Sequence, residues 1–179
     1  MTMSDLNSTG IRRTHGQLWV LDQTLLPLKE NWLQCNGPQD MIAIIKTLKI
    51  RGAPLIGVGA ALCLAQYVKS EKEVSRVLEA AQNLRKARPT AVNLMICIDR
   101  LLKVYEASQY SAEALYQEAD RIFVEDVELC EGMARSGEPL IDSGDHILTH
   151  CNTGGLATAG RGTIRVTSDW LPAPFQLTL

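Results

Sequence analysis

The segment from Ala53 to Val68 constrains this chain most, because it is apolar on nearly every side when wound as a helix and is rich in Gly and Ala. A helix of this kind is buried among other elements, and its small residues let those neighbours approach closely. Pro54, Gly57, Gly59 and Gln66 interrupt the run, which is too short to span a bilayer. The sequence therefore predicts a helical domain built around one central helix, with no membrane partner.

The segments around this helix have the patterns of further amphipathic helices. Apolar residues at helical spacing predict helices over about 39–49, 53–69, 71–86 and 91–107, and a long one that follows Ser111 and ends near Gly137. Ser111 is a suitable N-cap for this last helix. Before the helices, Gln17 to Leu28 has the pattern of a small β-hairpin, with Asp22-Gln23 as its turn.

The character of the chain changes after residue 140. His146 to His150 predicts a short buried strand, Cys151 to Gly155 a loop, and Leu156 to Ala159 the opening of a helix. A strand, a Gly-rich loop and a helix start form the first unit of a doubly wound α/β sheet. A single strand cannot make a parallel sheet, so we expect its partners to be missing from the chain. The prediction is an α/β protein with a domain over 1–140 and the start of a second over 141–179.

Composition narrows the function classes. Of 179 residues, 18 are basic and 20 acidic, and the net charge of −2 gives no pull toward nucleic acid. The odd number of cysteines and the lack of a Cys-x-x-Cys pair disfavour a disulfide framework or a zinc site. His15, His146 and His150 lack metal-ligand spacing, so no metal is expected. The polar N-terminus has no apolar signal core, which favours a cytoplasmic protein.

Two arginines stand just before apolar helices. Arg51, Gly52 and Ala53 precede Pro54, which suits the first turn of a helix because its missing N–H costs nothing there. The unpaired N–H groups and the helix dipole favour an anion, which an arginine can clamp. Arg88 stands in the same relation to the helix from about 91, which Thr90 can cap. The alternative is that both arginines are ordinary surface residues, but their repetition favours one shared anionic ligand.

Cys151 follows the predicted strand and precedes the Gly-rich loop. Ligands of open α/β sheets bind beyond the carboxyl ends of strands, and a nearby helix N-terminus lowers a thiol's pKa. Cys151 is thus a candidate acid, base or nucleophile, with an inert buried cysteine as the alternative. His150 is its neighbour on the strand and points to the opposite face, so the two make a poor catalytic dyad.

These segments together resemble the methylthioribose-1-phosphate isomerases, in that family's order and spacing, over roughly residues 10 to 163. The motifs that carry the resemblance are Leu21-Asp22-Gln23-Thr24 with Leu26-Pro27, Arg51-Gly52-Ala53-Pro54, Arg88-Pro89-Thr90-Ala91-Val92-Asn93-Leu94, and Leu148-Thr149-His150-Cys151-Asn152 through Ala157-Thr158-Ala159-Gly160.

The resemblance implies an aldose–ketose isomerisation of 5-methylthioribose 1-phosphate to 5-methylthioribulose 1-phosphate, a step of methionine salvage. By the family's pattern, Arg51, Gly52, Ala53 and Arg88 contact the sugar phosphate and Cys151 is catalytic. It implies no metal or organic cofactor. The family's fold is a helical domain followed by a Rossmann-like domain, in a homodimer.

The family continues for more than a hundred residues after the cysteine motif, with a catalytic aspartate and an Asn-Lys pair. From Ile164 to Leu179 this sequence leaves the pattern, and Asp169 in that tail is not assigned the aspartate's role. We therefore expect a truncated isomerase that is inactive alone. Two other interpretations stay open: a relative that acts on ribose 1,5-bisphosphate, and a non-catalytic assembly module like the regulatory subunits of initiation factor 2B.

Overall fold

The computed structural model describes residues 4–142, 145–148, 153–162 and 176–178. In chain order its elements are β1 (Leu6–Asn7), β2 (Ile11–Thr14), β3 (Gln17–Leu21), β4 (Trp32–Cys35), α1 (Pro38–Lys46), α2 (Ala53–Ser70), α3 (Val74–Arg85), α4 (Val92–Ala107), α5 (Ala112–Gly137), a 3-10 helix (Glu138–Leu140), β5 (His146–Leu148), a second 3-10 helix (Gly154–Leu156) and β6 (Gln176–Thr178).

The first four strands form one antiparallel sheet in the order β1-β2-β3-β4, which is larger than the predicted hairpin. The tight turn lies between β2 and β3 at His15 and Gly16, whose φ angles of 51° and 77° suit a two-residue hairpin loop. A turn begins at Asp22, as predicted: the Asp22 carbonyl accepts from the Leu25 N–H at 3.3 Å, and its Oδ1 accepts from the Thr24 N–H at 3.1 Å. The second strand of the predicted hairpin was wrong, because β3 pairs with β4 and not with residues 24–28.

Helix α2 is the centre of the described part of the chain, as its composition predicted. Its residues from Leu55 to Ala65 are all buried. Gly59 lies under the sheet, where an added Cβ would be 3.1 Å from Ile11 Cδ1. Helix α2 is long and apolar enough to cross a membrane by length and composition, but 67% of it is buried inside this protein. Its apolar surface is therefore used in the core.

The other helices lie where the sequence predicted them, with boundaries shifted by a few residues at most. The Ser111 hydroxyl caps α5 by accepting from the Ala114 N–H at 3.3 Å, which confirms the predicted N-cap. Thr90 does not cap α4. The N-cap residue of that helix is Ala91, whose side chain has no group that could accept a hydrogen bond from the first turn.

Helices α4 and α5 are joined by ion pairs. The Arg100 guanidinium bonds the buried Glu118 carboxylate and also the Glu125 carboxylate, both from α5. Arg85 of α3 pairs with Asp99 of α4 at 2.7 Å. These contacts fix the packing of the three helices around the central one.

Two predictions for the second part of the chain were wrong. Residues Leu156 to Ala159 do not open an α-helix: a 3-10 helix over Gly154–Leu156 gives way to bends. The predicted lone strand has a partner, since β5 pairs in parallel with β6, and His146 lies opposite Gln176. A strand's backbone N–H and C=O groups need such partners.

Candidate functional site

The predicted anion site at the start of α2 has an unexpected neighbour. Gly52 precedes the helix at φ 85°, in a conformation that L side chains rarely adopt. The N–H of Leu55, which we predicted to be free for an anion, donates to the Ala157 carbonyl at 3.1 Å. Pro54 has no N–H to offer. The start of α2 thus docks a loop from the second part of the chain, and the prediction of an unoccupied helix end was wrong in this respect.

The loop that docks there is residues 153–162, which we call the docked loop. An added Cβ on Gly52 would lie 2.5 Å from the Ala157 carbonyl oxygen and closer still to its Cα. Ala157, Thr158 and Ala159 are buried. Only glycine permits this approach of two backbones. Position 52 therefore requires glycine for the contact with Ala157 as well as for its positive φ angle.

Two polar side chains hold the same loop from other elements. The Gln23 side chain donates to the Leu156 carbonyl at 2.8 Å. The Asp126 carboxylate, on α5, accepts from the Ala159 N–H at 2.6 Å. These partners take backbone groups that a helix over this segment would have used, which is why the predicted helix does not form.

Arg51 and Arg88 emerge from the same end of the helical domain. Gly57, near the start of α2, packs against Asn93 near the start of α4: an added Cβ on Gly57 would lie 2.9 Å from the Asn93 carbonyl oxygen. At the other end of α2, the Lys69 ammonium stacks over the ring of Tyr116, near the start of α5, at 4.7 Å.

The end of α4 also lies near the start of α5, because the Tyr105 ring contacts the Tyr110 ring at 5.3 Å between centroids. Helices α2 and α4 are therefore parallel, and their N-termini share one end of the domain. Arg51 and Arg88 precede these two helices, and a ligand shared by them stays a prediction.

Arg51 and Arg88 differ from the arginines of the adjacent helices in their salt bridges. Arg51 is exposed and Arg88 is partly buried, and neither forms a salt bridge with another described residue. Arg85 and Arg100 on the adjacent helices are both held by carboxylates. Ala53, the first residue of α2, is exposed beside Arg51. Two cations at the starts of two parallel helices, with no salt bridge to a described residue, can attract an anionic ligand.

Cys151 lies outside the described residues, as do the side chains of His146 and His150, so their predicted roles stay predictions. Among the described cysteines, burial raises the pKa of the Cys97 thiol to about 11. The pKa of the Cys63 thiol is also raised, first by its contact with Cys35 and then by burial. Such thiols stay protonated and are poor nucleophiles. In the described ranges, no group of three or more His, Cys, Asp or Glu residues could hold a metal ion.

Gln23 and Asp126 hold the docked loop, but their sequence context does not predict this role. Gln23 stands inside a motif that was quoted for the resemblance, and only its 9% exposure shows that its amide works inside the fold. Asp126 is a partly buried carboxylate on an amphipathic helix, where an acidic residue is ordinary. Desolvation raises the pKa of the Asp126 carboxyl group, against the N–H donors of Ala159 and Gly160, which lower it. No local pattern distinguishes it.

The fold and this geometry define an α/β protein in which a helical domain offers an arginine-flanked helix start to a Gly-rich loop from a second part. The sequence profile of the Initiation factor 2 subunit family matches residues 49–166, and the chain belongs to this family.

Within the family, the chain is similar to the methylthioribose-1-phosphate isomerase of Cronobacter sakazakii, at 45% identity over 90% of this chain and 47% of that protein. It is also 45% identical to the same enzyme of Yersinia pestis, over 89% of this chain and 46% of that protein. The chain spans about half the length of the curated relatives that it matches.

Two solved structures share the fold. The 5-methylthioribose 1-phosphate isomerase of Pyrococcus horikoshii OT3 superposes with a TM-score of 0.82 at 31% identity, over 91% of this chain and 49% of that one. The delta subunit of translation initiation factor eIF-2B from A. fulgidus gives a TM-score of 0.68, also at 31% identity, over 94% of this chain and 52% of that one.

Proposed function

We propose that this chain is the N-terminal part of a sugar-phosphate isomerase that converts 5-methylthioribose 1-phosphate to 5-methylthioribulose 1-phosphate in methionine salvage. The curated relatives that it matches carry that enzyme's name. The observation that carries the proposal is the docking of the loop after Cys151 onto the start of α2, through the Leu55 N–H and the Ala157 carbonyl. This contact supports the proposal because the docked loop begins two residues after Cys151 and the start of α2 follows Arg51.

In this proposal Arg51, Gly52, Ala53 and Arg88 contact the substrate. The unpaired guanidinium groups hold the phosphate by charge-assisted hydrogen bonds, which fixes the sugar's orientation. Cys151 assists the transfer of hydrogen from the second carbon to the first, while the second carbon becomes a carbonyl and the overall composition is unchanged. The proposal includes no metal or organic cofactor.

The proposal also covers the organisation of the whole protein. Residues 1–140 form the helical domain and residues 141–179 begin a second, Rossmann-like one, and the complete enzyme is a cytoplasmic homodimer. The 179-residue chain matches less than half of the length of the curated isomerases. We expect it to bind the sugar phosphate without converting it, because the reaction needs both Cys151 and the catalytic aspartate that the family carries in its second half.

The test is to titrate the purified chain with 5-methylthioribose 1-phosphate in a calorimeter and to assay isomerisation in parallel. The matched variants are Arg51→Ala with Arg88→Ala, and Arg85→Ala as a control for an arginine that is already paired. We expect binding that the double variant loses and the control keeps. Binding that is equal in all three proteins would refute the arginine site, and turnover by the chain would refute its inactivity.

A second candidate is a non-catalytic assembly module, which the likeness to the delta subunit of eIF-2B favours. The two candidates differ in what the chain needs to recognise. A module would bind another protein of its own family and would show no affinity for the sugar phosphate. The same titration separates them, because sugar binding that depends on Arg51 and Arg88 belongs to the enzyme alone.

A further inference from the structure

The docked loop is held from three separate parts of the helical domain. The Leu55 N–H, at the start of α2, donates to the Ala157 carbonyl at 3.1 Å. Gln23 and Asp126 hold the residues on either side, Leu156 and Ala159. A loop fixed at three points has little freedom, so the residues that fix it set the position of what it carries.

Gln23 connects the loop to the predicted phosphate segment. Its side-chain amide donates to the Leu156 carbonyl at 2.8 Å. Its backbone N–H donates to the Lys49 carbonyl at 2.9 Å, two residues before Arg51. One buried residue, two positions after the end of β3, therefore holds both segments. The bonds couple the loop to the turn that carries Arg51.

Asp126 holds the other side of the loop. Its Oδ2 accepts from the Ala159 N–H at 2.6 Å, and the Gly160 N–H also faces this carboxylate. The geometry is that of a side-chain cap: a carboxylate satisfies consecutive backbone donors that have no helical partner. Beneath Gly160 lies Cys130, which is 2% exposed, and an added Cβ on Gly160 would be 3.1 Å from the Cys130 Sγ.

We propose that Gln23 and Asp126 are positioning residues of the isomerase site: together they fix the loop that follows Cys151 against the start of α2. This inference rests on the proposed function for its consequence, and on the contacts above for its geometry. Neither residue touches the reacting atoms. Each acts through the backbone of the docked loop, so replacing either one displaces the loop without unfolding the helical core.

The test uses Cys130 as a reporter of the loop, because the loop covers this thiol. The full chain is treated with iodoacetamide, and the labelling rate of each cysteine is followed by peptide mass spectrometry. Cys63 is 1% exposed in the core and reports global unfolding. In Asp126→Ala we expect Cys130 to label at least about tenfold faster, because the loop loses its hydrogen bonds to a charged carboxylate, while the labelling of Cys63 is unchanged. Asp126→Asn keeps an acceptor oxygen and should label Cys130 at nearly the original rate.

Gln23→Leu removes the other contact and has a close control. Gln66 also donates from its side chain to a backbone carbonyl, that of Cys35 at 3.2 Å, but it lies away from the docked loop. We expect Gln23→Leu to raise the labelling of Cys130 and Gln66→Leu to leave it unchanged. The inference is overturned if Asp126→Ala and Gln23→Leu label Cys130 at the original rate, or if Cys130 and Cys63 accelerate together.

The consequence for the site is measured in the same experiment by adding 5-methylthioribose 1-phosphate. We expect the sugar phosphate to protect Cys151 from labelling in the unmodified chain and in Asp126→Asn, and this protection to weaken in Asp126→Ala. Protection that is identical in Asp126→Ala overturns the positioning role. If the sugar protects no variant while the Cys130 effect remains, the proposed function has failed and the docking contacts have not. If Asp126 only stabilised the fold, the protection of Cys151 by the sugar phosphate would weaken only when Cys63 also became labelled.

Discussion

Replacing Gly52 by alanine tests the close approach between α2 and the docked loop. Gly52 has φ 85°, and an L side chain forced into such a conformation costs about 1–3 kcal/mol. The new Cβ would also lie 2.5 Å from the Ala157 carbonyl oxygen, and overpacking of this kind costs about 1–3 kcal/mol more. We therefore expect the free energy of unfolding to fall by about 2–6 kcal/mol if the loop stays docked.

Alternatively, the docked loop can detach from the start of α2, which avoids the steric clash. Release would limit the cost to the conformational strain plus the lost contacts of Ala157, and it would uncover Cys130. Urea denaturation followed by circular dichroism measures the first response. With a slope of about 2 kcal/mol/M, the midpoint should fall by about 1 M or more. Iodoacetamide labelling of Cys130 measures the second.

Gly132→Ala is the matched control. Gly132 lies inside α5, and an added Cβ would meet nothing within 4 Å. Alanine there should raise the free energy of unfolding by about 0.5–1 kcal/mol, since glycine is the poorer helix residue. The reasoning is refuted if Gly52→Ala changes the free energy of unfolding by less than about 0.5 kcal/mol and leaves Cys130 as well protected as before.

Further predictions concern the helices. Arg100→Met should lower the free energy of unfolding by about 2 kcal/mol in urea denaturation. The reason is that the Glu118 side chain is only 6% exposed, and its carboxylate loses one of its guanidinium partners. An unchanged denaturation midpoint would contradict this. Ser111→Ala should cost about 1 kcal/mol by removing the cap on the Ala114 N–H, and Ser111→Asp, which keeps an acceptor, should cost less in the same measurement. Because burial raises the pKa of Cys97 to about 11, the thiol in the native protein at pH 8 should be alkylated about 100-fold more slowly than an ordinary thiol of pKa near 9. The rate should still rise about tenfold per pH unit from pH 8 to 10, whereas a rate that levels off between pH 9 and 10 would show an unshifted thiol.

Features that depend on residues close in sequence could be predicted, and features that depend on distant residues could not. Helix α2 was predictable because an all-apolar, glycine-containing helix has no stable place outside a core. The cap at Ser111 was predictable because its partner is three residues away. The strand that pairs with β3 was misplaced because that strand, β4, begins only at Trp32, beyond the predicted hairpin. The motifs around Arg51 and Cys151 indicated the family from residue types and spacing alone.

The sequence by itself determined the central helix, the helices around it, the arginines before two of them and the family to which these motifs belong. Only the tertiary structure decided that the segment after Cys151 is a docked loop and not a helix. Its backbone groups bond Gln23, Leu55 and Asp126. The two side-chain partners are distant in sequence: Gln23 lies 133 residues from Leu156, and Asp126 lies 33 residues from Ala159. Local propensity cannot register such partners, because a backbone N–H or C=O takes whichever good acceptor or donor the whole fold brings to it.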